Sequence, residues 1–264
     1  KFPISASTVL ALSDSLSSET EKNAGWNLLT NINYEYLQKT FSAIERFRNV
    51  EFERDWNRGN TLQTDDQHII GGKIGFTKKE NSVAYDYKSF LEGSFYNGMR
   101  HGINIHLEKK GFLLMGEGSY LDSKSSLNNS SFFRHKASLS KKINIPFVPL
   151  SPSRSALAEQ GKGGLTVGVR EQQEQNLISS RTFDSLIAGS VRFMEWEPFL
   201  EFRDSSNNKY TLNYKQRTDY ALSGLAGAEL HRSAYSEDYG AGVELFSNPN
   251  NQFRVTGSYR RLRI

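Results

Sequence analysis

Between Tyr239 and Tyr259 the chain changes character at every second residue, runs into a polar reversal, and then does the same again. Tyr239, Ala241, Val243 and Leu245 alternate with Gly240, Gly242, Glu244 and Phe246. Phe253, Val255, Gly257 and Tyr259 alternate with Arg254, Thr256, Ser258 and Arg260, and Ser247-Asn248-Pro249-Asn250-Asn251 separates the two runs. Successive strand side chains point to opposite faces of a sheet, so this period sorts apolar from polar residues only in a strand. Two such runs around a short Asn/Pro reversal predict an antiparallel hairpin with one apolar and one polar face.

The same period recurs upstream. Ile103, Ile105 and Leu107 alternate with Asn104, His106 and Glu108, and Lys109-Lys110-Gly111 then turns the chain into Phe112, Leu114, Gly116, Gly118 and Tyr120. Val83, Tyr85 and Tyr87 follow a turn at 78–81, and Ile70, Ile74 and Phe76 precede it. Further rows are Leu165, Val167 and Val169, then Ile187, Gly189, Val191 and Phe193. Tyr210, Leu212 and Tyr214 follow the turn Ser205-Ser206-Asn207-Asn208, and Tyr220, Leu222, Gly224, Ala226, Ala228 and Leu230 read as one long strand from Asp219 to Arg232. Roughly a dozen strands joined by short loops predict an all-β antiparallel meander, barrel-like or a large open sheet, in one domain over residues 1–264.

Two regions depart from this pattern. Leu37, Phe41, Ile44 and Arg48 have the spacing of one short amphipathic helix, set between strand-like segments at Trp26–Tyr36 and Val50–Trp56. Residues 143–163 hold Pro146, Pro149 and Pro152, then Gly161, Gly163 and Gly164. Proline cannot donate to a ladder, so this stretch reads as a long excursion, and long loops in compact proteins often carry function.

The residue types narrow the chemistry. There is no cysteine, which removes disulfides, thiolate metal sites and cysteine nucleophiles. The net charge of +4 is dispersed: Lys78-Lys79, Lys109-Lys110 and Lys141-Lys142 fall at expected turns, so a nucleic-acid partner is not expected. No two histidines stand four apart, and His101 and His106 fall on opposite strand faces, so neither a metal nor a cofactor is expected. Gly161-Lys162-Gly163-Gly164 is not a phosphate loop, because Ala156 stands where its first glycine belongs and no Ser or Thr follows Lys162.

Glu195 and Glu197, on one strand face beside Trp196, are the strongest catalytic lead, since paired carboxylates near aromatics suit glycoside hydrolysis. Such pairs normally come from different strands and Pro198 interrupts this one, so a solvated strand face is the preferred reading and no catalytic residue is assigned. Glu195, Trp196, Glu197, Tyr210 and Tyr214 remain as candidate ligand-binding residues. Tyr85, Tyr87, Tyr210, Tyr214 and Trp196 have the chemistry to stack on sugar rings or to sit at a lipid headgroup boundary.

Aromatics near the ends of the rows and aliphatic residues within them lean toward an outer-membrane barrel, whose strands need one lipid-facing side. Rows of only three apolar residues, and an ending that lacks an aromatic, point instead to a soluble β-sandwich, in which the Glu195–Phe199 segment and neighbouring tyrosines would bind carbohydrate. The segment Ile44-Glu45-Arg46-Phe47-Arg48-Asn49-Val50-Glu51-Phe52-Glu53-Arg54-Asp55-Trp56-Asn57 resembles segments of large β-rich envelope proteins of Gram-negative bacteria, as does Phe253–Ile264. The resemblance covers about a tenth of the chain and brings no catalytic motif. It implies an outer-membrane setting and suits a piece of a longer chain. The expectation is therefore a non-enzymatic outer-membrane protein with a structural, transport or envelope-assembly role. Its partners would be the lipid bilayer, other envelope proteins and glycans, with a periplasmic or cell-surface location as the alternative.

Overall fold

The computed structural model describes residues 4–12, 25–39, 56, 65–145, 163–182, 185–187, 189–204, 208–222, 229–248 and 251–264. Twelve strands follow one another: β1 (Ile4–Leu12), β2 (Asn27–Leu37), β3 (Gln67–Lys78), β4 (Asn81–Glu92), β5 (Tyr96–Lys109), β6 (Phe112–Ser125), β7 (Asn128–Asn144), β8 (Gly164–Ser180), β9 (Val191–Arg203), β10 (Lys209–Leu222), β11 (Leu230–Asn248) and β12 (Asn251–Arg263). Their order in space is their order in sequence, in a single sheet. Every neighbouring pair is antiparallel. The predicted meander is therefore present, and no helix occurs among the described residues. The sheet is not a closed barrel: β1 and β12 are its two ends. No second sheet packs on it among the described residues, as a sandwich would require.

The turns follow from their residues. Lys78 pairs with Asn81 and Lys109 with Phe112, leaving two-residue connections. Lys79 (φ 53°), Lys110 (φ 52°) and Gly111 (φ 77°) adopt the left-handed backbone that such hairpins need. Lys141 and Lys142, expected at a turn, instead lie within β7. Lys141 Nζ donates to Lys110 O at 2.6 Å and rests 3.9 Å from the centre of the Phe112 ring. Its amphipathic stem thus covers apolar surface while its charge reaches the turn.

Three sequence expectations shift. The single strand expected over 219–232 is two strands, with Leu222 opposite Leu230 across the β10–β11 ladder. Apolar alternation continues through a reversal when both flanking strands are apolar on the same face, so the period alone does not mark the turn. Gly189 has φ 98° and Ile187 N donates to Ile178 O at 2.9 Å, which places both in the β8–β9 connection. The apolar rows also sit in longer strands than three residues imply, from 9 in β1 to 19 in β11. The expected helix after Leu37, and most of the 143–163 excursion, lie outside the described residues. The base of that excursion is pinned, with Ile145 N donating to Gly163 O at 3.2 Å.

Register assigns the two faces, because directly opposed residues share a face. Ile103, Ile105, Leu114, Leu139, Val167, Val169, Leu200, Leu212 and Val243 share one face, and most of these are exposed. The other face is polar and mostly less exposed. At one end it holds the main buried cluster, in which Ile69, Phe90, Tyr96, Leu121 and Phe132 close around Trp56 from the β2–β3 connection. The Trp56 and Phe90 rings meet edge to face at 5.3 Å, and the Tyr96 hydroxyl donates to the Trp56 carbonyl. Apolar residues on the polar face are thus covered by an aromatic wedge, each fully buried side chain contributing about 1.5–3 kcal/mol.

Candidate functional site

The five residues singled out from the sequence separate onto the two faces. Glu195 and Glu197 lie on the polar face, opposite Gln172 and Arg170 of β8. Trp196 lies on the apolar face opposite Glu171 and Gln216, and Tyr210 and Tyr214 join it there. Adjacent residues of a strand cannot share a face, so the carboxylates and the indole do not form one site. Phe193 also falls on the polar face, where the Arg217 guanidinium sits 4.2 Å from its ring centre.

On the polar face the carboxylates are held by cations from neighbouring strands. Glu195 Oε1 is 2.9 Å from Lys215 Nζ, and its other oxygen is 3.9 Å from Arg217 Nη1. Glu197 Oε1 accepts from Arg170 Nη1 at 3.2 Å. Glu201 is 2.8 Å from Lys209 Nζ and 3.0 Å from Arg203 Nε. The ladder continues outward as Arg217–Asp219, Arg260–Asp238 and Arg254–Glu244. With a cation on each glutamate, the group is an ion-pair lattice rather than a free acid beside a free base. It borders a recess of about 600 Å³ that reaches from Ser82 and His106 across Glu117, Lys136 and Arg170 to Glu195 and Glu197. Such a surface can hold water and polar solutes.

Phe199 adds an aromatic to this face. It stands opposite Gly168, where an added Cβ would lie 2.6 Å from its Cζ, and the Arg170 guanidinium covers the ring 4.0 Å from its centre. Pro198, which lacks an N–H, does not end β9. The β8 ladder runs through it, and the β10 ladder has a gap between Asn213–Phe199 and Gln216–Trp196.

On the apolar face the expected aromatics come together in rows. Tyr87, His101, Tyr120 and Phe133 occupy consecutive register positions of β4–β7. Tyr214, Tyr239 and Tyr259 do the same in β10–β12, with ring centres 5.0 and 6.3 Å apart. Trp196 packs edge to face on Tyr214 at 5.7 Å. Histidines fill gaps in the rows: His101 Nδ1 is 2.7 Å from Tyr85 Oη, His68 Nδ1 is 2.9 Å from Tyr34 Oη, and His135 Nε2 is 2.9 Å from Glu171 Oε1. On one side of the rows lie aliphatic residues such as Ile103, Leu212 and Ala241. On the other lie Asp122, Ser131, Gln216 and Glu237. As expected, His101 and His106 fall on opposite faces. Among the described residues no group of three His, Asp or Glu is placed to hold a metal ion.

Sequence reasoning missed Arg170, Lys215 and Arg217 as partners of the glutamates, and, while placing Tyr120, Tyr239 and Tyr259 in apolar runs, missed that they align across neighbouring strands. The signal for both lay in counting register outward from each hairpin turn. Outside the strands, Asp66 accepts from Lys39 N at 2.7 Å and Tyr36 Oη at 3.0 Å. The Lys39 backbone hydrogen bond leads in holding its carboxyl below the usual range.

No protein-family model matches this chain, and no curated protein matches it.

Proposed function

We propose that the sheet is a membrane-spanning wall of an outer-membrane β-barrel. Its apolar face would meet lipid and its ion-paired face a water-filled interior, in a structural or transport role without catalysis. One observation carries this reading. Large hydrophobic side chains are exposed across one face, while carboxylates of the other, Glu195, Glu197, Asp238 and Glu244 among them, are held in ion pairs. Soluble monomers rarely expose apolar patches beyond a few hundred Å². The aromatic rows support it further, because barrels carry aromatic girdles where the apolar band meets headgroups. From Phe112 to Tyr120 the apolar side of β6 rises about 26 Å along the strand, or about 20 Å at a typical barrel tilt, against a band of about 25 Å. In a bilayer the unpaired edges of β1 and β12 require further strands beside them, since exposed N–H and C=O groups are costly in hydrocarbon.

The absence of cysteine makes the test direct. Leu139→Cys and Val169→Cys probe the apolar face, and Ser138→Cys and Arg170→Cys the polar face. In membranes from cells making the protein, a water-soluble maleimide is expected to label the second pair and spare the first. Equal labelling of all four, with the protein outside the membrane fraction, would overturn the proposal.

A further inference from the structure

We infer that the β10–β12 part of the apolar face is a binding site for an anionic phospholipid, with an acyl chain over Ala241 and Gly257 and the phosphate on Arg232, Arg261 and Arg263. The inference rests on the membrane-wall reading and adds a specific ligand to it. A groove of about 760 Å³ runs across this face, with Leu200, Leu212, Ala241 and Gly257 in its floor and Tyr239 and Tyr259 at its edge. The single methyl of Ala241 and the absence of a side chain at Gly257 make the depression, and nothing lies within 4 Å of a Cβ built on Gly257. An aliphatic floor bounded by tyrosines suits a hydrocarbon chain whose polar end emerges at the aromatic row.

Past that row the face becomes basic. Arg261 stands opposite Glu237, and Arg263 opposite Tyr235. At about 3.3 Å per residue, Arg261 lies about 7 Å and Arg263 about 13 Å beyond Tyr259 along the strand. Arg232, on the same face opposite Tyr220, lines a second recess of about 440 Å³ together with Arg263, Tyr235 and Glu237. The contrast between the two sides of β12 is the deciding point. Arg254 and Arg260, on the polar face, pair with Glu244 at 2.9 Å and Asp238 at 2.6 Å. Arg232, Arg261 and Arg263 make no ion pair among the described residues. The adjacent carboxylate, Glu237, already accepts from Tyr235 Oη at 3.0 Å and Tyr214 Oη at 3.2 Å. Three uncompensated guanidiniums next to an apolar groove complement a phosphate oxyanion, which arginine binds in fork geometry.

The full chain in detergent micelles, titrated with dioleoylphosphatidylglycerol, dioleoylphosphatidylcholine or inorganic phosphate and read by native mass spectrometry, tests this. Phosphatidylglycerol is expected to bind at least tenfold more tightly than phosphatidylcholine. Combined Arg232→Gln, Arg261→Gln and Arg263→Gln substitution is expected to abolish that preference, and Arg254→Gln with Arg260→Gln to leave it. The single variant Gly257→Leu fills the groove and is expected to weaken both lipids. Equal retention of the two lipids would overturn the inference. So would loss of preference in the polar-face variants, or displacement of phosphatidylglycerol by an equal concentration of inorganic phosphate, which would make this an ion site. Alternating cysteine labelling without lipid preference sinks this inference alone. Loss of the alternation sinks the membrane reading first.

Discussion

Lys215 reaches diagonally across the β9–β10 ladder to Glu195, its Nζ 2.9 Å from Oε1, and the carboxylate side chain is only 14% exposed. A carboxylate this covered depends on its cation more than a surface one does, because removing the partner leaves a poorly solvated charge. Lys215→Met is expected to destabilise the chain by about 1–2 kcal/mol, and Glu195→Gln by less, since the amide still hydrogen-bonds. A double-mutant cycle in urea unfolding measures the coupling. A value near zero would place this pair with ordinary exposed ion pairs.

Gly168 has no room for a side chain. A Cβ there meets Phe199 Cζ at 2.6 Å and the Leu139 carbonyl oxygen at 2.8 Å, and the carbonyl belongs to a ladder that cannot yield easily. Gly168→Ala is expected to cost about 1–3 kcal/mol. Gly257→Ala, with open space around the new methyl, is expected to change stability by less than about 0.5 kcal/mol. Comparing the two midpoints in one denaturation series checks both.

Asp66 ties the start of β3 to the end of β2 through Lys39 N and Tyr36 Oη. Its folded pKa lies below the usual 3.8. The contribution of the ionised carboxylate is therefore complete above the unfolded value and is lost as pH falls through the folded one. Amide exchange at Lys39 is expected to be slower than in Asp66→Asn at neutral pH, and to lose that extra protection as pH falls below about 4. Below the folded pKa the two proteins are expected to converge. A wild-type Lys39 amide as fast as that of the variant at pH 7 would contradict this.

Leu139 and Ser138 are neighbours in β7 on opposite faces. In bilayers, Leu139→Arg is expected to cost about 2–4 kcal/mol, the penalty for arginine on a lipid-facing strand near mid-membrane. Ser138→Arg, facing the polar recess, is expected to cost much less. Reversible unfolding from lipid vesicles in guanidinium measures the difference, and equal costs would argue that lipid does not cover the Leu139 side.

What this sequence determined by itself is the local alternation. The hairpins at Ile70–Tyr87, Ile103–Tyr120 and Tyr239–Tyr259 were legible, because a period of two separates polar from apolar side chains within a few residues and turn residues such as Lys110-Gly111 interrupt it. Tyr85, Tyr87, Tyr210, Tyr214 and Trp196 were expected as exposed aromatics; they share the apolar face, with Tyr85 and Trp196 exposed and the other three half-buried. Only the tertiary structure decided which strand residues stand opposite one another. Register depends on where each turn closes, and the apolar stretch from Tyr220 to Leu230 hid one such closure. For that reason Glu195 and Trp196, adjacent in sequence, read as one site although their side chains lie on opposite faces. Lys215, Arg170 and Gly168, distant in sequence from Glu195, Glu197 and Phe199, become their partners only when β8, β9 and β10 are laid side by side.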